Sequence, residues 1–402
     1  MDDQEIFRWL DEQHDAMVAQ LIDWVNINSG SRNLNGLEKM HDKLVEDLAC
    51  LEADEWESLE VPSREEIDMR GEKHEAMFGR ALYYKKRPEA PKQILLLGHM
   101  DTVYGEHHHF QHATHLEDGK LGGPGVTDMK GGLLIALYAL RALEMSDHAK
   151  DVGWELYINP DEELGSRGSA AHLTELGDKH ELALIFEPAM TTEGHIAHKR
   201  KGNGKFTFVV RGVAAHAGRS FDQGRNAIIM ASHAMQAIHL LNGKREDVTL
   251  NVGLCHGGSV VNAVPDVCTF KIDVRIKRKE DEAWVFKELA KITDTLNHQE
   301  GYSLEFHGDF DRTPKVLDPC TEKWLQFVID NGELLGQSIA FKASGGCCDG
   351  NNLAERGTLV ADSMGPCGNH IHSDEEYVIT QSLVDRAKLS ASILMRLREF
   401  DR

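Results

Sequence analysis

Residues 93–103 read QILLLGHMDTV. An unbroken apolar run closed by glycine predicts a strand buried on both faces, with His99 and Asp101 delivered at its carboxyl end. Working outward, residues 81–85, 154–159 and 182–186 read as further strands, while 131–143 and 169–176 carry helical spacing. Upstream, residues 14–28 place Met17, Val18, Leu21, Ile22 and Val25 on one helical face. Strand–helix alternation with nearly continuous apolar strands predicts an α/β domain: a mainly parallel sheet with helices on both faces.

The pattern changes after Lys199. Strands at 206–210, 248–254, 267–276 and 302–306, with helices at 226–241 and 282–296, give the order βαββαβ of a ferredoxin-like unit. Residues 200–311 are therefore expected as an insertion, and 1–199 with 312–402 as the host domain. After the insertion the chain returns to a helix at 322–331, a strand at 358–361 and a final helix from Ser382.

Apolar residues are 41% and charged residues 27% of the 402, a globular composition. A formal charge of −22 repels nucleic acid and anionic membrane, so neither is expected as a partner. The start, MDDQEIFRWL, lacks the basic and apolar regions of a secretory signal, and no apolar run reaches membrane-spanning length. Seven scattered cysteines without a CxxC pair suggest neither a disulfide framework nor a thiolate zinc knuckle. A cytoplasmic location is expected.

Chemistry gathers at the strand ends. A lone His99-x-Asp101 is more often a structural hydrogen bond than a site. GGPGVTDMKGG, residues 122–132, sets Asp128 before an apolar helix; the lysine and hydroxyl ending of a phosphate loop is missing, and an acidic residue there repels phosphate. The strand at 154–159 runs into Asp161, Glu162 and Glu163, adjacent carboxylates that repel one another unless a cation neutralises them. The strand at 182–186 delivers Glu187, and GPCGNHIHSDEEY offers His370 or His372. Each alone has a bland reading as a turn, a solvated loop or a structural histidine. Together they give an imidazole and carboxylate donor set suited to zinc, with cobalt or manganese as substitutes, and too large for one catalytic ion.

His99-x-Asp101, GPGVTDMKGG, DEELGS, Glu187-Pro188 and His372-Ser373 resemble, in order and over nearly the whole chain, the co-catalytic di-zinc hydrolases. That family includes glutamate carboxypeptidase, acetylornithine deacetylase, succinyl-diaminopimelate desuccinylase and aminoacylase. The likeness is greatest to the glutamate carboxypeptidase branch. It implies two Zn2+ per chain bridged by Asp128, with His99 and Glu187 on one ion and Glu163 and His372 on the other. It also implies Glu162 as general base, Asp101 as the group orienting His99, and His372 rather than His370 as ligand. In the insertion it implies His216 and Asn262 near the scissile carbonyl, reaching into a partner subunit's site, and Arg275 on the substrate carboxylate. A lid that makes a homodimer follows as an expectation. The activity implied is that of a carboxypeptidase on a small peptide; the alternatives are an N-acyl amino acid deacylase and a non-catalytic binding protein on the same scaffold.

Some features fall outside this pattern. GEHHHFQHATH carries His107, His108, His109, His112 and His115. No ordering carboxylate pattern accompanies them, so a solvated loop is expected over an accessory metal site. His195 is followed by the basic run of Lys199, Arg200 and Lys201, where Lys199 or Arg200 could assist substrate binding. Cys347 and Cys348 have no identifiable base and are expected as structural or pocket-lining thiols.

Overall fold

The apolar run at the centre of the sequence is also central in the computed structural model, which describes residues 1–401. Lys92–His99 lies inside a six-stranded sheet ordered Glu55–Leu59, Ala81–Lys86, Val152–Asn159, Lys92–His99, Leu182–Ile185, Leu359–Ala361. The last four strands run parallel, whereas Ala81–Lys86 and Glu55–Leu59 add antiparallel at one side. Alternate residues face opposite ways along a strand, and here both faces are covered. Ile94 and Leu96 share a core with helices Lys130–Met145 and Gln381–Met395. Leu95 and Leu97 are equally buried. On their face the Tyr157 hydroxyl meets His172 Nδ1 of helix Ala170–Lys179 at 3.0 Å, and helix Asp349–Glu355 sets Gly350 against Ile185.

Helix Lys130–Met145 is buried nearly all round because other helices cover the side turned from the sheet. Its first turn presses on a strand end: a Cβ at Gly132 would sit 2.0 Å from the Phe186 carbonyl oxygen. Only glycine permits that approach, and it brings the segments bearing Asp128 and Glu187 together.

The chain divides into two compact units, one of Met1–Pro62, Met77–Arg200 and the residues from Lys315 on, the other of Ser63–Ala76 and Lys201–Pro314. The second holds an antiparallel sheet ordered Thr249–Gly257, Val267–Ile276, Gly202–Arg211, Ser303–Arg312, with helices Ala227–His239 and Asp281–Asn297 sharing its apolar core. In chain order this is βαββαβ. Phe208 and Phe270 stack at 4.7 Å in that core. The assignment of residues 1–199 wholly to the host domain needs correcting. The hairpin of Arg64–Ile67 and Lys73–Ala76 belongs to the second unit, where Arg211 donates to the Gly71 carbonyl at 3.0 Å. The chain leaves the first unit at Arg200 and returns at Lys315, and these two residues exchange both backbone hydrogen bonds at 3.1 Å. Among the described residues no helix is long and apolar enough to cross a membrane.

Candidate metal centre

The carboxyl ends of parallel strands open into loops at one edge of the sheet, where α/β folds gather functional groups. His99 is the last residue of its strand. Glu162 and Glu163 open a short 3-10 turn after Val152–Asn159, and Glu187 follows Leu182–Ile185. Asp128 ends the glycine-rich loop before helix Lys130–Met145, joined to Met129 by a cis peptide bond. His372 sits in the turn between Gly368–Asn369 and Tyr377–Ile379 with φ 62°, a left-handed backbone uncommon for a non-glycine residue.

Asp128 is the meeting point. His99 Nε2 lies 3.2 Å from its Oδ1, and His372 Nε2 lies 3.3 Å from its Oδ2. Glu187 Oε1 stands 3.7 Å from His99 Nε2, and Glu163 Oε2 stands 3.3 Å from His372 Nε2. Two groups that could hold an ion result, His99–Asp128–Glu187 and Asp128–Glu163–His372, with Asp128 common to both. Glu162 Oε2 is 3.9 Å from His99 Nε2 and outside both groups. His370 does not join them; its Nδ1 faces Glu375 at 3.9 Å.

Around these residues a frame of buried hydrogen bonds fixes the loops. Asp101, fully buried, accepts from the amides of Glu162 at 3.1 Å and Glu163 at 3.2 Å and from the Ser31 hydroxyl at 2.7 Å. Its backbone carbonyl, not its carboxylate, makes the 2.9 Å contact with His99 Nδ1; the carboxylate stays 3.4 Å away. Asp101 thus tethers the Glu162–Glu163 turn as well as facing His99. Glu376 does the same for Asp128. Its Oε1 accepts from the amides of Thr127 at 2.9 Å and Asp128 at 3.1 Å, and its Oε2 from Gly125 at 3.1 Å and the Tyr104 hydroxyl at 2.8 Å. Gly125 has φ 72°, and a Cβ there would strike Thr102 at 2.5 Å. The sequence reading overlooked Glu376, since an acid in SDEEY looks solvated. The available signal was the glycine-rich loop, whose converging amides need a buried acceptor.

The electrostatics suit a cation. Asp128, Glu162 and Glu187 are at most 9% exposed. Burial pushes Glu163 up to about 7, with repulsion from Asp128 adding to it. Burial, then Asp128 and Glu162, raise Glu187 well above the usual carboxylate range. Hydrogen bonds to Asp128 and Glu163 lift His372 to about 11. Burial opposes the charged form of His99, but Asp101 and Asp128 outweigh it and raise its pKa well above the ordinary value. His99 Nε2 and Asp128 Oδ1 are both buried without a hydrogen-bond partner, because their 3.2 Å approach is misaligned. Orphaned buried polar atoms are costly, and a divalent ion between a nitrogen and a carboxylate oxygen would satisfy both. The donor set fits zinc.

The remaining predicted residues are in the second unit. His216 is exposed on the short strand Ala215–His216, paired with Ala263–Val264, and the Ala217 amide donates to the Asn262 carbonyl at 3.0 Å. Arg275 lies on Val267–Ile276 with its Nε on Asp273 Oδ2 at 2.7 Å. Arg200 does not fit a substrate-binding role. It is buried and grips Asp362 through Nε at 2.5 Å and Nη2 at 2.9 Å, where Lys315 Nζ also arrives at 3.4 Å. Cys348 is buried with its Sγ 3.3 Å from the same carboxylate, and burial pushes the thiol well above its usual pKa, the opposite of an activated nucleophile.

Comparison with known proteins gives the family. Residues 95–396 match the family model described as peptidase family M20/M25/M40. Carboxypeptidase G2 of Pseudomonas sp. (strain RS-16) is 26% identical over 406 residues, covering 98% of this chain and 92% of that protein. Succinyl-diaminopimelate desuccinylase of Hahella chejuensis is 26% identical over 338 residues, covering 78% of this chain and 85% of its own. The fold matches that of the dipeptidase Dug1p from Saccharomyces cerevisiae with a TM-score of 0.79 at 14% identity, covering 100% of this chain and 99% of the other. With three quarters of its length inside one family's pattern, the chain belongs to peptidase family M20/M25/M40 and is a metallo-hydrolase.

Proposed function

We propose that this metallo-hydrolase is a di-zinc carboxypeptidase, cleaving the amide bond that precedes a C-terminal residue with a free carboxylate, glutamate being the first candidate. The observation that carries this reading is the buried Asp128 carboxylate, facing one histidine–carboxylate group on each oxygen with Glu162 beside them. One ion would be held by His99, Asp128 and Glu187, the other by Asp128, Glu163 and His372, with cobalt or manganese as workable substitutes. When bound, such a pair supplies Lewis acidity and brings the pKa of water down toward about 7.

Glu162 is the general base. It takes the proton of the attacking water and returns it to the leaving nitrogen, so the amide splits into carboxylic acid and amine with no net proton change. Asp101 holds the Glu162 amide and so fixes where that carboxylate begins. His216 and Asn262 are proposed to meet the scissile carbonyl, and Arg275 the substrate carboxylate, a partner for which a guanidinium fork is suited. An N-acyl amino acid deacylase is the second reading, supported by the likeness to desuccinylases at the same identity. A homodimer through the second unit is proposed as well. Strand Thr249–Gly257 is an outer strand of its sheet and exposes Leu254, and Ile229 is exposed on helix Ala227–His239. An apolar outer edge of this kind invites pairing with a second copy. The free cysteines suit the proposed cytoplasmic location.

The test is hydrolysis of C-terminal glutamate and neutral dipeptides against N-acetyl and N-succinyl amino acids, with and without chelator. Chelator-sensitive release of one C-terminal residue supports the carboxypeptidase. Preference for small acyl groups supports the deacylase, and absence of chelator-sensitive turnover across the panel contradicts both.

A further inference from the structure

The histidine-rich segment at 107–115 carries no ordering carboxylate of its own, but the fold supplies one from a distant loop. We infer that His108, His109 and Asp374 form a third divalent-cation site, separate from the Asp128 centre and suited to zinc or a similar borderline metal. His109 Nε2 lies 2.6 Å from Asp374 Oδ2 and His108 Nε2 lies 3.5 Å from Oδ1, so both imidazoles converge on one carboxylate. The two rings stack with centroids 4.6 Å apart, and both Nε2 atoms face Asp374. The three donor atoms lie within 4.8 Å of one another and share no residue with either group at Asp128.

The loops that bring them together are tied before any cation arrives. The Tyr104 hydroxyl lies 2.8 Å from the Ser373 carbonyl oxygen, and its ring meets His108 edge-on at 5.3 Å. Gln111 donates to the His108 carbonyl at 2.5 Å and in turn accepts from Asn28 at 2.9 Å. Two imidazoles and a carboxylate, with room for water, form an open and exchangeable site rather than a closed structural one. His109 is 77% and Asp374 47% exposed at the side chain, which leaves the remaining coordination positions to solvent. Binding requires a lone pair on each Nε2, which shifts the ring proton of a neutral imidazole to Nδ1. In His108 that shift displaces the Phe110 amide, which donates to Nδ1 at 3.2 Å. Occupancy would staple the 107–109 segment to the loop that carries His372.

The experiment compares zinc uptake by the full chain, dialysed against excess zinc and assayed by elemental mass spectrometry, with that of His109→Ala, Asp374→Asn and His112→Ala. The wild type should hold one equivalent per chain more than His109→Ala or Asp374→Asn, and His112→Ala should match the wild type. The difference is independent of how many ions the Asp128 centre holds, so it stands or falls apart from the proposed reaction. Equal uptake by the wild type and His109→Ala would overturn the site. So would an equal loss in His112→Ala, which would reduce the effect to general binding by a histidine-rich loop.

Discussion

Replacing Glu376 by Gln tests whether the Asp128 loop is held by one buried carboxyl group, whose pKa burial and Asp128 raise to about 7. Glu376 accepts four donors, the amides of Gly125, Thr127 and Asp128 and the Tyr104 hydroxyl. A glutamine keeps one acceptor oxygen. Its better orientation keeps that oxygen on Thr127 and Asp128 and turns the NH2 toward Gly125 and Tyr104. Tyr104 can then accept from the NH2 and donate only to the Ser373 carbonyl, which it already contacts at 2.8 Å. The Gly125 amide is left buried against a donor. One unsatisfied buried donor costs about 1–3 kcal/mol, and weakening two charge-assisted bonds adds about 1 kcal/mol, giving about 3 kcal/mol in all. Urea denaturation of metal-loaded Glu376→Gln should show that loss, together with weaker metal retention on dialysis, because the same amides set the position of Asp128. Tyr104→Phe should lose only about 1 kcal/mol. A Glu376→Gln chain within about 0.5 kcal/mol of the wild type, with unchanged metal content, would refute the reasoning.

Three further outcomes follow from the same geometry. Glu162→Gln should keep its metal while turnover falls about 10²–10⁴-fold, since Glu162 lies outside both ion-holding groups; activity near the wild-type level would remove its role as base. In the metal-free protein Glu163 is raised to about 7 and His372 to about 11, so the folded state binds more protons than the unfolded chain. Stability of that form should therefore fall as pH rises, from about 4.5 through 7 for Glu163 and from about 6.5 toward 11 for His372, and metal should flatten the profile by replacing the protons. Asp362→Asn leaves Arg200 and Lys315 buried without their anion and should destabilise by about 3–5 kcal/mol, read by denaturant titration.

Much of this arrangement was legible in the chain because it rests on local pattern. Apolar runs ending in Gly98, Asn159 and Phe186 marked buried strands, and the groups just beyond them, His99, Glu162, Glu163 and Glu187, are the ones the fold assembles. What stayed hidden depends on contacts between distant segments. The strands of the 64–76 hairpin are short, polar and mostly exposed, so no alternation signals them. Arg200, inside a basic run that looks solvated, is buried by Asp362 from the far end of the chain. The partners of Glu376 and Asp374 are likewise loops remote in sequence. Residues 81–85 read as one more strand of a mainly parallel sheet, and the strand pairs antiparallel, a direction that side-chain composition does not encode.

Anomalous diffraction at the zinc edge, from zinc-grown crystals, tests most directly the proposal that Asp128 lies between two cations. Two peaks are expected beside Asp128, one among His99, Asp128 and Glu187 and one among Asp128, Glu163 and His372, apart from the third peak inferred at His108, His109 and Asp374. A single peak beside Asp128, or two that leave it uncoordinated, would contradict the proposed di-zinc centre.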